Sequence, residues 1–74
     1  MVTHKQSSAV SFFAKRLRQH REDQGLSQEA LAEKAGLDRT YVSGCERGGR
    51  NPTLRSMEKL AKALGVELKD LIGP

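Results

Sequence analysis

Glycines at positions 25, 36, 48, 49 and 65 cut the chain into short segments, and each cut follows a stretch whose apolar residues recur at helical spacing. Glycine takes the left-handed conformation in which helices end at little cost. A chain punctuated in this way, with no strand-like alternation of apolar and polar residues, is expected to be all-α. Five helices and no strand are predicted, without internal repeats, low-complexity segments or a linker.

Taken in order, residues Met1–Ser8 (MVTHKQSS) are polar and lack periodicity, which predicts a flexible N-terminal arm, with His4 a solvated arm residue. The remaining residues, 9–74, form one domain. Its first helix is predicted over about Ala9–Gln24, with Val10, Phe13, Leu17 and the stem of Arg21 on one stripe and Gly25 at its exit. A second helix, Gln28–Ala35, starts at an N-cap Ser27, with Glu29 in the first turn and a Leu26–Leu31 staple across the start. A third, Arg39–Arg47, starts at Asp38, repeats the staple with Leu37 and Val42, and stops at Gly48 and Gly49. Gly44 inside it costs roughly 1 kcal/mol against alanine. The close approach of another surface, such as DNA, is one reason to tolerate it; a packing need or drift is the other. A fourth helix, Leu54–Leu64, follows an N-cap Thr53, with Leu54, Met57, Leu60, Ala61 and Leu64 as its stripe. A short fifth, Leu68–Ile72, carries three large apolar residues that need cover.

The bulk properties narrow the function. A chain of 74 residues supports one small domain, which is marginal alone and gains from association with a second copy. The net charge is +4, which favours polyanionic partners. With Cys45 as the single cysteine, no intrachain disulfide can form. No run is long and apolar enough for a membrane span, and the first ten residues lack a signal-peptide core. A soluble cytoplasmic protein without membrane association is the expectation.

The second and third helices make a constellation. Ala32 stands where they would cross, small enough for close approach, Gly36 supplies the turn, and Val42 and Cys45 pack the third helix back onto the second. These residues at these offsets suit an angled helix pair whose second member stands proud of the surface, able to enter a major groove. That helix opens with Arg39, Thr40 and Tyr41 and carries Ser43. Arginine pairs bidentately with guanine O6 and N7, and threonine bonds a base or offers its methyl to thymine. Tyrosine bonds phosphate through its hydroxyl, and first-turn N–H groups favour phosphate too. An arginine at a helix N-terminus opposes the dipole, which itself argues for a functional reason. Cys45, His4 and His20 belong to no catalytic constellation, and neither a metal-ligand spacing nor a phosphate-cradling glycine loop is present. No enzymatic activity, cofactor, metal or small-molecule ligand is expected.

The stretch SQEALAEKAGLDRTYVSGCERGGRNPTLRSMEKLAKALGV resembles the helix-turn-helix domain of the phage-repressor-like (Xre/Cro) family. More narrowly, LDRTYVSGCERGGRNPT is similar to the controller proteins of restriction–modification systems, small homodimeric transcription regulators. The resemblance runs from about Val10 to the C-terminus and implies a compact five-helix repressor-like domain. It implies that Arg39, Thr40, Tyr41 and Ser43 face base edges and nearby backbone. Arg47, Arg50 and Asn51 approach DNA on or just after the recognition helix, and Gln28 contacts phosphate. It also implies, together with their placement on packed faces, an ion pair between Arg21 and Glu46. The family often has a larger apolar residue where Cys45 stands.

The expected function is therefore sequence-specific binding of double-stranded DNA by a homodimer on a near-palindromic operator, with Leu68, Leu71 and Ile72 in the dimer contact. Two alternatives remain at this level. An antitoxin-type repressor would use the same fold and bind a protein partner, although the chain carries no appended toxin-binding segment. A DNA-binding fragment of a larger regulator would have a longer gene. An RNA binder fits least, because base-stacking aromatics are lacking.

Overall fold

Why the helices begin and end where they do is visible in the computed structural model, which describes residues 8–73. Among these residues it contains α1 (Ser8–Asp23), α2 (Gln28–Ala35), α3 (Arg39–Glu46), α4 (Leu54–Leu64) and α5 (Leu68–Ile72), and no strand. The all-α expectation holds, with bounds shifted by a residue at three ends. Ser8, assigned to the arm, already belongs to α1; the rest of the expected arm, His4 included, lies outside the described residues. Arg47 is the C-cap of α3 rather than its last helical residue.

Two starts are capped as expected. Ser27 Oγ accepts the Ala30 N–H at 2.9 Å, and Thr53 Oγ1 accepts the Ser56 N–H at 3.0 Å. Asp38 differs. Its extended backbone occupies the N-cap position of α3, but its side chain makes no capping bond. The residue is exposed, and a carboxylate solvated by water gains little from the exchange. The α2 exit shows why glycine is needed there. Gly36 has φ 70, and the Leu37 N–H donates to Ala32 O at 2.9 Å, closing a Schellman-type turn.

Amphipathic packing does the rest. Phe13 and Leu17 of α1, Leu31 of α2, Val42 and Cys45 of α3, Leu60 and Leu64 of α4 and Leu71 of α5 meet in one core, with Ala32 and Ala61 buried between them. α2 packs on α3 and α4, while α1 packs on α3 and α5. Polar ties add direction at the α1 side. Arg16 Nε donates to Asp70 O at 3.0 Å, and Gln24 Nε2 donates to Leu64 O at 2.6 Å.

Two apolar assignments need correction. Leu54, placed on the α4 stripe, is 59% exposed, because it occupies the first helical position, outside the turn that meets the core. Leu71, expected in a dimer contact, is 0% exposed inside its own protomer. The single core absorbs it, since α5 lies against both α1 and α4. Of the other two, Leu68 is half-buried and Ile72 is 46% exposed. No helix among the described residues is long and apolar enough to cross a membrane.

Candidate nucleic-acid interface

α3 has a hidden side and a displayed side, and both follow from its sequence. Val42 and Cys45, three apart, are buried against the core, and Glu46 joins them one position on. Arg39, Ser43 and Arg47 recur every four residues on another face, with Thr40 between them. Arg39, Thr40 and Arg47 are exposed and Ser43 is half-buried. Ser43 Oγ accepts a hydrogen bond from Arg47 Nη1 at 2.7 Å, so this face is already partly ordered.

What holds the hidden side is an ion pair. Arg21 Nε and Nη2 donate to Glu46 Oε2 and Oε1 at 2.7 and 2.9 Å, a bidentate arrangement. The side chains are 11% and 3% exposed. The third corner of the guanidinium, Nη1, donates to Leu26 O at 2.8 Å. The Glu46 hydrogen bond raises the Arg21 pKa, against the opposing effect of burial. The expected pair between the first and third helices is thus present, and it also anchors the loop before α2.

Gln28, expected at a phosphate, is half-buried and its Nε2 donates to Glu46 Oε1 at 3.0 Å. Its location at the start of α2 is as expected. Its amide is also tied to the ion pair, a role that the sequence reading missed. The signal was the joint presence of Arg21, Gln28 and Glu46 at the ends of three different helices, which no local pattern connects.

Tyr41 is divided between two roles. It is half-buried and packs against the core, and its hydroxyl accepts the Thr53 N–H at 3.4 Å. Arg50 and Asn51 are exposed in the loop between α3 and α4, and Arg50 Cζ stands 5.1 Å from the centroid of the Tyr41 ring. The explanation for Gly44 is a packing one within the protein: a Cβ there would meet the Arg50 side chain at 2.9 Å. Cys45 is a buried free thiol. Burial pushes its pKa above the ordinary value, against the pull of the Arg50 guanidinium.

The surface formed by the first turn and outer face of α3, the start of α2 and the loop after α3 carries three exposed arginines, Arg39, Arg47 and Arg50, and is rich in hydrogen-bond donors. Such a surface suits the groove of a polyanion.

Comparison with known proteins places this geometry. The control protein C.BamHI of Bacillus amyloliquefaciens is 49% identical over 61 residues, covering 81% of this chain and 75% of that protein. Among solved structures, the restriction-modification controller protein C.AhdI from Aeromonas hydrophila superposes with a TM-score of 0.84 at 49% identity, over 88% of this chain and 98% of that one. The controller protein C.Esp1396I, solved as a tetramer in complex with its natural 35 base-pair operator, gives a TM-score of 0.80 at 43% identity, over 82% of this chain and 80% of that one. Further structures of C.Esp1396I carry substitutions of an arginine, a threonine and a tyrosine at consecutive positions, the residue order of Arg39-Thr40-Tyr41. The helix-turn-helix family profile matches residues 17–71, and this chain belongs to that family.

Proposed function

We propose that the protein is a sequence-specific, double-stranded DNA-binding transcription regulator of the restriction–modification controller type. The observation that carries this reading is the stripe of exposed Arg39, Thr40 and Arg47, with half-buried Ser43 among them, on a helix whose opposite side is locked into the core. Arg39 and Thr40 read base edges in the major groove, where bidentate arginine–guanine pairing gives the largest discrimination. Tyr41, Ser43, Arg47, Arg50 and Asn51 contact backbone and neighbouring edges, and Gln28 positions a phosphate at the start of α2. These roles need no cofactor, no metal and no catalytic group, and they belong where the DNA is, in the cytoplasm.

The active form is a homodimer. The operator-bound C.Esp1396I is an assembly of several copies, and two copies of this chain would set two recognition helices about 34 Å apart on a near-palindrome. Leu68 and Ile72 supply the contact; Leu71 serves the protomer core instead.

The test is selection of bound duplexes from a random-sequence pool. Enrichment of a motif with two inverted half-sites, centred about one helical turn apart, is expected. Failure to enrich any duplex motif overturns the reading.

A further inference from the structure

Gly44 is a glycine whose backbone does not ask for one. Its φ is not positive, unlike those of Gly25, Gly36, Gly48 and Gly65, and it lies in the interior of α3. It is nevertheless buried. What covers it is the side chain of Arg50: a Cβ at position 44 would lie 2.9 Å from Arg50 Cγ, 3.0 Å from Nε and 3.2 Å from Cδ. Beyond that crossing the guanidinium reaches the Tyr41 ring, at a distance suited to a cation–π contact. Tyr41 and Gly44 are three apart and share one flank of α3. The first supplies a face for the arginine and the second supplies the gap through which it passes. The loop that carries Arg50 is pinned on both sides, by the Gly49 N–H donating to Gly44 O at 2.9 Å and by the Thr53 N–H on the Tyr41 hydroxyl.

We propose that Gly44 is a positioning residue for DNA recognition: by leaving room for Arg50 to lie along α3 and stack on Tyr41, it presents that guanidinium beside the recognition turn before DNA arrives. The inference rests on the DNA-binding reading above and deepens it. An arginine loose in a loop must be ordered on contact, and pre-ordering removes that cost from the binding step. The position of Gly44 also predicts opposite effects on folding and binding. A methyl there would favour helix and would displace an exposed, flexible side chain rather than backbone, so the fold tolerates it while the arginine loses its seat.

The experiment is a double-mutant cycle of Gly44→Ala and Arg50→Ala, measured on the duplex enriched by the wild-type protein, with thermal unfolding alongside. Gly44→Ala is expected to keep or raise the unfolding midpoint, to weaken binding about tenfold and to lower the salt slope by about one counterion. In the Arg50→Ala background the same substitution should weaken binding no further. Undiminished binding by Gly44→Ala, or the same loss with Arg50 absent, overturns the proposal. A second measurement needs neither DNA nor the alanine variant. The Arg50 Nε–H resonance of the wild type should carry a ring-current shift that disappears in Tyr41→Leu, and its absence from the wild type overturns the stacked placement. A wild type that binds no duplex defeats the DNA reading and the role of Gly44 in it, while the resonance still reports the arginine separately.

Discussion

At the scale of single residues, Glu46 joins the most parts. It accepts from Arg21 of α1 and Gln28 of α2 while its own backbone ends α3. Removing its carboxylate leaves the enclosed Arg21 charge with only the more exposed Glu22 carboxylate, 3.9 Å away, as a counterion. Glu46→Ala is therefore expected to lose about 3–5 kcal/mol of stability in urea unfolding, more than a surface ion pair would contribute. The bond raises the folded-state pKa of Arg21 above its ordinary value. Its stabilisation is fully present below the unfolded value and fades only as pH climbs through the folded one, so this pair adds no pH dependence in ordinary buffers. Cys45 behaves differently. Its thiol pKa is raised above 9.0 by burial, so the unfolded chain ionises first and stability falls as pH rises past that value. Cys45→Ala should remove this alkaline loss, as read from unfolding midpoints at pH values on either side of the ordinary thiol pKa. An identical pH profile in both proteins would rule it out.

At the scale of elements, helix ends were legible because their causes are local. Ser27, Thr53 and Gly36 act on N–H and C=O groups within a few residues, and each does in the structure what its type implies. Asp38 fits the same local rule and yet makes no capping bond. The three starts should separate in mutagenesis. Ser27→Ala and Thr53→Ala are each expected to cost about 0.5–2 kcal/mol, and Asp38→Ala clearly less, in the same unfolding assay. An equal loss at Asp38 would mean that its side chain caps α3 after all. The arrangement around Gly44 was not legible, because the group that fills its gap comes from the loop beyond the helix. Periodicity says that a glycine interrupts α3; it cannot say that Arg50 crosses there. The bond from Gln28 to Glu46 escaped for a similar reason, since it joins residues whose proximity depends on the angle between α2 and α3.

At the scale of the whole molecule, the same distinction decides which apolar residues face a partner. Leu68, Leu71 and Ile72 have similar hydropathy and lie within one short helix, so only the packing of α5 on α1 and α4 sorts them. Leu71 is enclosed and Ile72 is not. Leu71→Asp is accordingly expected to unfold the domain, because it buries an unpaired charge. Ile72→Asp should keep the helical circular dichroism and shift sedimentation from dimer to monomer. A folded Ile72→Asp that sediments as wild type would remove α5 from the dimer contact. The overall fold and the identity of the displayed helix were readable from periodicity, staples and turn residues. The division of labour within α5 was not.

The central claim is that the first turn of α3 reads bases rather than merely attracting phosphate. It is tested most directly by the affinity of Arg39→Ala for the enriched duplex and for an unselected one of the same length at fixed salt. A loss of about 1–3 kcal/mol on the enriched site, with a much smaller change on the unselected duplex, is the predicted result. Unchanged affinity, or an equal loss on both duplexes, would contradict it.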